Sequence, residues 1–206
     1  FCWGWCLERA HWGELLAAHT AVPQRLALGG AVRARAVACG HHSVAVTSTE
    51  GVLFTWGKGL LGQLGHGTVA DVAAPRRVEG LRHRFVWEAA LGRHFLLSLT
   101  SEGELFSNGT TANGVLGRAP CGTAPPRAPP AAASATSTYE PTPRLVEGLR
   151  GIRVTAVTAG DCHCAALHEN GTVCTWGCGQ FGRLGHAGQI DELVPRRVEA
   201  IEVPIV

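Results

Sequence analysis

Five residues in the carboxyl-terminal third of the chain are of the types that commonly bind zinc in proteins: Cys162, His163, Cys164, Cys174 and Cys178. Thiolates and imidazoles are the usual zinc ligands, and structural sites commonly use pairs of cysteines two residues apart. Here one residue separates the first cysteine pair and three residues separate the second. We therefore expect no bound metal, and a zinc-dependent site is the less favoured alternative.

Histidine recurs at two kinds of position. His42, His94 and His163 fall at nearly the same place in three successive stretches of similar sequence, and His66 and His186 each follow a Leu-Gly step. A catalytic histidine is needed once, whereas recurrence at strand or loop boundaries is typical of side chains that hydrogen-bond to neighbouring backbone. We therefore interpret these histidines as structural.

Neither a catalytic grouping nor a nucleotide-binding loop is indicated. Ser43, His42 and Asp71 could form a hydrolase triad, but the sequence around Ser43 is not that of a nucleophile elbow. The glycines after Trp56 are spaced like those of a phosphate-binding loop, yet no helix pattern follows to provide an N-terminal dipole. We expect no catalytic residue and no cofactor.

Arginine also recurs, as the pairs Arg76-Arg77 and Arg196-Arg197, with Arg144 at the matching site. One interpretation is a positive face for an acidic partner. The other, which we favour, is ion pairing, either with the acidic residues four positions before each proline (Asp71, Asp191) or with those just after the arginine pairs (Glu79, Glu199). The residues that could face a partner are Arg76, Arg196, His66 and His186.

These residues belong to an internal repeat, because the same landmarks recur at offsets of 52 and then 68 residues. Three full units are present, and an incomplete one precedes them. We predict units at about 1–30 (incomplete), 31–82, 83–150 and 151–206. The recurring positions, which we interpret as structural, are Gly40, Gly92, Gly160; Gly51, Gly103, Gly171; Trp56, Trp176; Gly57, Gly109, Gly177; Gly62, Gly182; Gly65, Gly185; and Pro75, Pro143, Pro195.

Each unit has the pattern of short strands. In the first full unit, apolar or β-branched runs at 35–39, 43–46 and 52–56 are bounded by glycine, and a further short run follows Pro75. Four strands in about 50 residues are typical of one propeller blade, in which neighbouring sheets bury each other's faces. The sequence predicts an all-β propeller of four-stranded antiparallel blades.

Composition agrees with this interpretation. Glycine makes up 27 of 206 residues, close to twice the usual ~7%, and 46% of residues are hydrophobic, enough for a core. A net charge of +2 is too small to favour nucleic acid. No apolar run reaches the ~18 residues of a membrane helix. Since the chain opens at Phe1 and contains no methionine, we expect that it does not begin at the native start.

Two long motifs carry a family resemblance. The segments 56–67, which reads WGKGLLGQLGHG, and 176–186, which reads WGCGQFGRLGH, together with ACGHHSVAVT at 38–47, resemble the signature of the regulator of chromosome condensation repeat. The resemblance covers essentially the whole chain. It implies a seven-bladed β-propeller of roughly 364 residues, of which this chain would be about half.

The middle unit departs from the motif. Asn108 replaces the tryptophan, and Gly114-Val115-Leu116-Gly117 replaces Gly-Gln-Leu-Gly, so we expect a degenerate loop in that blade. The extra 16 residues of this unit fall within 118–140, where prolines and alanines crowd without periodicity. We predict a flexible surface insertion there.

The repeat alignment gives the cysteines a structural role. Cys164 occupies the position of Val44 and Leu96. Cys174 matches Phe54 and Phe106, and Cys39 matches Leu91 and Ala159. We therefore expect the cysteines to be buried core residues. Buried, unpaired thiols favour a reducing compartment, so the expected location is cytoplasmic or nuclear.

The favoured function is a non-catalytic protein-interaction module, a scaffold or regulatory domain whose loops contact a protein partner and which adjoins the remainder of the propeller or parent protein. The resemblance implies an alternative, guanine-nucleotide exchange on a Ran-like small GTPase, which needs no covalent chemistry. Chromatin binding also occurs in the family, but the basic tail it would need is absent here, so nucleic acid is an unlikely partner for this segment, and no membrane is expected.

Overall fold

The computed structural model describes residue 28, residues 32–118 and residues 138–201. Within these residues the chain forms three four-stranded antiparallel sheets and contains no α-helix, as the all-β prediction requires. The first sheet contains β1 (Ala34–Cys39), β2 (Ser43–Ser48), β3 (Leu53–Gly57) and β4 (Val72–Arg77). The second contains β5 (Val86–Leu91), β6 (Phe95–Thr100), β7 (Leu105–Thr110) and β8 (Tyr139–Leu145). The third contains β9 (Val154–Ala159), β10 (His163–His168), β11 (Val173–Gly177) and β12 (Glu192–Arg197).

The loops contain short 3₁₀ turns. They span Glu79–Leu81 and Glu147–Leu149 after the outer strands, and Ala112–Gly114 and Gln180–Gly182 after the third strands. The predicted incomplete unit at 1–30 and most of the predicted insertion at 118–140 lie outside the described residues. Unit boundaries, blade number and the flexibility of the insertion therefore remain predictions. None of the described residues forms a helix that is long and apolar enough to cross a membrane.

The strands of each sheet follow chain order, so the first strand of each lies at one edge and the fourth at the other. β5 packs against β1 and β2 on one side and against β9 on the other. The first strands are therefore the inner ones, and the fourth strands form an outer rim that is largely exposed.

Hydrophobic side chains fill the spaces between adjacent sheets. One cluster, which includes Leu53 and Leu96, joins the first two sheets. A larger one, which includes Phe95 and the fully buried Trp176, joins the second and third. Because a sheet must bury a face to be stable, each blade depends on its neighbour.

A bulge recurs in every sheet where the third strand pairs with the fourth. The register shifts across Trp56 in the first sheet, Asn108 in the second and Trp176 in the third. A bulge re-aims the side chain of the extra residue. The glycine that follows it has a positive φ, 108° at Gly57, and a Cβ there would lie 2.3 Å from the carbonyl oxygen of His42. Glycine is therefore required at this corner.

The antiparallel order defines two opposite faces of the propeller. The loop face comprises the connections from first to second strands and from third to fourth strands: residues 40–42, 58–71, 92–94, 111–118, 138, 160–162 and 178–191. The turn face comprises the tight turns at 49–52, 101–104 and 169–172 and the connections between sheets at 78–85 and 146–153.

The prediction that the cysteines are core residues holds for Cys164 and Cys174 but is wrong for Cys39. Cys39 lies at the end of β1 and is exposed. Its repeat counterpart Leu91 packs between the first and second sheets. By that equivalence Cys39 points away from the second sheet, where no described sheet covers β1.

Candidate functional site

The long loops on the loop face are each held to their own sheet by a hydroxyl group on the third strand. The side chains of Thr55, Ser107 and Thr175 donate to the carbonyl oxygens of Leu64, Leu116 and Leu184, at 2.6, 2.7 and 2.6 Å. These hydroxyls are buried, and a buried hydroxyl is costly unless it is paired. The sequence analysis missed them, although a hydroxyl residue stands just before the Trp or Asn in all three units.

His66 and His186 complete this anchor. Their Nε2 atoms lie 3.0 Å from the hydroxyl of Thr55 and 2.9 Å from that of Thr175, respectively. Both rings are half-buried, and burial lowers the pKa of His66. In the middle unit Arg118 stands at this position and donates to the carbonyl oxygen of Ser107 at 3.1 Å. Each side chain thus ties the end of a loop to its third strand.

The bulged residue of the third strand ties a sheet to the loop of the preceding sheet. Trp176 donates its indole N–H to the carbonyl oxygen of Val115 at 2.9 Å, and Asn108 donates its side-chain amide to the carbonyl oxygen of Gly62, also at 2.9 Å. Both side chains are fully buried. Although Asn108 replaces the tryptophan, it keeps an N–H donor at this position.

Two aspartates fix the beginning of the loops. Asp71 accepts the backbone N–H of Gly59 at 2.8 Å, and Asp191 accepts that of Gly179 at 2.9 Å. Asp191 also accepts from Asn113 of the preceding sheet at 2.8 Å, and this hydrogen bond is the main cause of its lowered pKa. The interpretation that these aspartates pair with the repeated arginines is wrong. Besides accepting a backbone amide, Asp71 lies 3.8 Å from Nζ of Lys58, and the second oxygen of Asp191 accepts from Asn113.

The arginines lie on the outer rim. Arg196 pairs with Glu192 at 2.5 Å and Arg144 with Glu140 at 3.5 Å, each within one outer strand. Their neighbours Arg77 and Arg197 lie 4.0 Å from Glu79 and Glu199, as the ion-pair interpretation expects. Arg76 is the exception among these repeated arginines. Val72 replaces the acidic residue in its strand, and no described carboxylate lies within ion-pair distance of it.

The other recurring histidines lie at the first loop of each sheet. His42 and His94 occupy equivalent positions in that loop, but His163 lies one residue later. His163 pairs with Gly177, just as Ser43 pairs with Gly57 and Phe95 with Gly109. His163 therefore belongs to the second strand, and Cys162 is the counterpart of His42 and His94.

In two of these residues, His94 and His163, one ring nitrogen does not make the expected hydrogen bond to the backbone. The Nδ1 atoms of His94 and His163 are buried and have no hydrogen-bond partner among the described residues. Burial lowers the pKa of both rings, and nearby arginines lower it further. These imidazoles are therefore held in the neutral form at neutral pH.

The remaining signature residues lie at corners and on the rim. Pro75, Pro143 and Pro195 lie in the outer strands; Gly51, Gly103 and Gly171 lie in the tight turns with φ of 77°, 82° and 79°; Gly62, Gly65, Gly182 and Gly185 lie in the long loops; and Gly40, Gly92 and Gly160 follow the first strands. A proline removes a ladder donor, which is tolerated on an edge strand.

The structure bears on the triad and the metal cluster considered from the sequence. The Ser43 hydroxyl is buried without a hydrogen-bond partner in the described part of the chain, so it does not form a triad with His42. No three metal-binding side chains cluster among the described residues.

Exposed apolar side chains project from the loop face instead. Leu60 is 63% exposed, and in the third sheet Phe181 and Ile190 are 86% and 81% exposed. Phe181 also has a φ of 60°, which is uncommon for a residue with a side chain. Its counterpart in the second unit is Asn113, which contacts Asp191 of the following sheet. The apolar side chains of the turn face are less exposed, at 36% for Phe85 and 41% for Ile152. Aromatic and apolar side chains are common in the buried core of protein interfaces.

Comparison with known proteins agrees with this architecture. The family model for the regulator of chromosome condensation (RCC1) repeat matches residues 50–99, 102–167 and 170–206, and a second model of that repeat matches residues 154–183. Two solved structures share the fold: Prp20p from Saccharomyces cerevisiae, with a TM-score of 0.70, 23% identity and coverage of 81% of this chain and 38% of that one, and human WBSCR16, with a TM-score of 0.69, 22% identity and coverage of 88% and 41%.

Curated relatives are more similar in sequence. The human E3 ubiquitin-protein ligase HERC2 is 36% identical over 79% of this chain and 3% of its own length. The Xenopus laevis serine/threonine-protein kinase Nek9 is 35% identical over 86% of this chain and 18% of its own, and human protein RCC2 is 35% identical over 85% and 33%. The chain thus spans at most about a third of these relatives. It belongs to the regulator of chromosome condensation (RCC1) repeat family.

Proposed function

We propose that the chain is a protein-interaction module of a larger scaffold or regulatory protein, and that its loop face binds the partner. The observation that supports this most directly is that polar and apolar side chains have different roles on that face. The Thr175 hydroxyl on the third strand, together with Asp191 and His186 in the loop, holds the long loop in place, whereas Leu60 and Ile190 are left exposed. A rigid loop with an exposed apolar residue suits binding rather than chemistry.

The relatives support a modular role. The segment that is similar to this chain covers 3% of a ubiquitin ligase and 18% of a protein kinase. Because the two reactions differ and the shared segment is a small part of each protein, the repeats supply something common to both, and binding is the simplest such role. Prp20p, which has the same fold, binds Gsp1p and histones.

The four residues singled out from the sequence have different parts in this proposal. His66 and His186 use their Nε2 atoms inside the loops, so we assign them to loop shape. Arg196 is paired with Glu192. Arg76 is exposed without a described carboxylate partner, so it is the one we propose to contact an acidic group of the partner.

Quantitative capture of binding proteins from cell extract tests the proposal. A Leu60→Asp, Ile190→Asp variant should lose a defined protein that the unmodified chain retains, since a charge cannot be buried in an apolar contact without a large penalty. Glu102→Lys, on the turn face, is the matched control and should retain it. A protein set unchanged by the double variant would contradict the proposal.

Guanine-nucleotide exchange on a Ran-like small GTPase is the second candidate, supported by the fold shared with Prp20p. Exchange needs loops that bind the nucleotide-free GTPase better than the loaded one, so it too would act without catalytic side chains. Nucleotide release from a panel of small GTPases separates the candidates. Faster nucleotide release from one GTPase supports exchange. Unchanged release from every GTPase in the panel supports the scaffold role.

A cytoplasmic or nuclear location is part of the proposal. The described cysteines of the third sheet and of the loops next to it, Cys162, Cys164, Cys174 and Cys178, are all free thiols. Unpaired cysteines that are close together are typical of a reducing compartment. Fractionation of cells that express the full-length protein tests this assignment.

A further inference from the structure

Two cysteines face each other at the loop-face end of the third sheet. His163 pairs with Gly177 in the β10–β11 ladder, and the residues one step further along, Cys162 and Cys178, are joined by a backbone hydrogen bond of 2.8 Å. This hydrogen bond holds the two residues side by side just beyond the end of the ladder. A disulfide needs Cα atoms about 4.4–6.8 Å apart, and residues joined in this way are candidates for such a bond.

The two thiols differ in accessibility and in their neighbours. Cys162 is partly exposed, and its sulfur accepts a hydrogen bond from Nη1 of Arg183 at 2.9 Å. The same guanidinium is held in place because its Nε donates to the carbonyl oxygen of Gln180 at 2.8 Å. Cys178 is only 4% exposed. The Cys162 sulfur can therefore meet a small oxidant, whereas the Cys178 sulfur is shielded.

The repeat does not require this combination. The positions of Cys162, Cys178 and Arg183 are occupied by His42, Lys58 and Gln63 in the first full unit, and by His94, Thr110 and Val115 in the second. Both of those units form the same four-stranded sheet. The fold is thus satisfied without a cysteine at either position, so blade construction does not account for the pair.

We propose that Cys162 and Cys178 form a peroxide-sensitive dithiol, with Cys162 as the attacking thiol and Cys178 as the resolving thiol. The Cys162 thiol loses its proton to solvent, and the thiolate attacks one oxygen of hydrogen peroxide; the O–O bond breaks, a sulfenic acid forms, and the leaving hydroxide takes up a proton from solvent to give the first water. Cys178 likewise loses its proton to solvent and attacks the sulfenic sulfur; the S–S bond forms, the S–O bond breaks, and the leaving hydroxide takes up a proton to give the second water. Overall, two thiols and one peroxide give one disulfide and two waters.

Arg183 acts in this proposal as a positioning residue. Burial and the neighbouring Cys178 thiol raise the pKa of Cys162, whereas Arg183 opposes the rise. The reaction should therefore accelerate as the pH rises from 7 towards 9. Removing Arg183 should lower the thiolate fraction of Cys162 by more than it raises the intrinsic nucleophilicity of the thiolate, so the rate at fixed pH should fall.

Peptide mass spectrometry of the full 206-residue chain tests the proposal. The reduced protein is treated with hydrogen peroxide, free thiols are blocked, and the chain is cut with trypsin, with a protease that cleaves after Glu169, and with chymotrypsin after Trp176. The expected product links 154–169 to a fragment that begins at Gly177, is assigned to Cys162 by fragmentation, and is reversed by dithiothreitol. Cys178→Ser should instead leave Cys162 as a sulfenic acid that dimedone traps.

Matched variants keep the outcome decisive. Cys39→Ser removes an exposed cysteine outside the pair and should leave the rate unchanged. Arg183→Gln should slow disulfide formation, and Arg183→Lys should restore part of the rate. Circular dichroism checks that each variant is folded. Oxidation that bypasses the pair, a product dominated by Cys39, or equal rates with and without the Arg183 guanidinium would overturn the proposal.

Discussion

The side-chain amide of Asn108 donates a hydrogen bond of 2.9 Å to the carbonyl oxygen of Gly62 in the preceding sheet. One unit later, the indole of Trp176 makes the equivalent bond to Val115 at the same length. The requirement at this bulge is therefore a buried N–H donor that reaches the neighbouring loop, and the indole is one way to meet it. The bond links adjacent sheets, so it contributes to the rigidity of the loop face.

Replacing the donor tests this role. Asn108→Ala should lower the free energy of unfolding by about 1–3 kcal/mol, because the buried carbonyl of Gly62 loses its partner. Asn113→Gly is the matched control. It removes an exposed bond between sheets of 2.8 Å at a residue with a φ of 55°, which glycine adopts readily, and should change stability by no more than about 0.5 kcal/mol. Urea denaturation measures both, and equal losses would contradict the distinction.

The hydroxyl of Thr175 holds the loop at 178–191 to its strand. Thr175→Val keeps the shape and strand preference of the residue but leaves the carbonyl of Leu184 and the ring of His186 without their partner, so we expect a loss of about 1–3 kcal/mol. Trypsin cleavage after Arg183, within this loop, should become faster. Thr175→Ser should behave like the unmodified chain.

Thr155 provides the comparison for that experiment. Its hydroxyl donates to the carbonyl of Leu167 at 3.2 Å in an exposed position. Water can replace that bond, so Thr155→Val should have little effect on either readout. A Thr155 variant as unstable as the Thr175 variant would show that the loop anchor has no special importance.

Stability should fall on mild acidification. Burial lowers the pKa of His66, His94, His163 and His168 below the ordinary value of about 6.5. Below that value the unfolded chain binds protons that the folded chain does not, so stability is full above pH 7 and declines from about pH 6.5 downwards. The lowered pKa of Asp191 acts in a more acidic range, because that carboxyl is ionised in both states above pH 5.5.

Thermal melting at pH 7.5 and pH 5.5 measures this effect, and the melting temperature should be lower at pH 5.5. His168→Gln should reduce the difference, since this ring is the most buried of the four at 5% exposure and glutamine does not titrate. A melting temperature that rises on acidification would mean that the folded chain binds protons more readily than the unfolded one.

Much of the architecture could be predicted from the sequence, because a propeller repeats its landmarks. Pro75 and Gly51 mark an outer strand and a tight turn in the structure, and their counterparts do the same. Side-chain contacts between units were harder to predict from the sequence. The bond from Asn108 to Gly62 spans 46 residues, and local pattern does not indicate which carbonyl a substituted side chain will reach.

The cysteines show where the prediction failed and why. A repeat alignment assigns each residue a slot but does not indicate whether a neighbouring sheet covers that slot, so Cys39 was expected in the core and is exposed. Cys162 and Cys178 are 16 residues apart in sequence, and only the register of β10 with β11 brings them together. Metal-site spacing rules examine separations along the chain, and for this reason they did not identify the pair.

Site-specific photo-crosslinking tests the central proposal, a partner-binding loop face, most directly. A benzoylphenylalanine is introduced in separate full-length proteins at Leu60 or Ile190 on the loop face and at Glu102 or Asn170 on the turn face, all of them exposed positions, and the proteins are irradiated in cells. We expect the two loop-face probes to give a covalent adduct with the same partner and the turn-face probes to give none. Adducts from the turn face alone, or equally from both faces, would contradict the account.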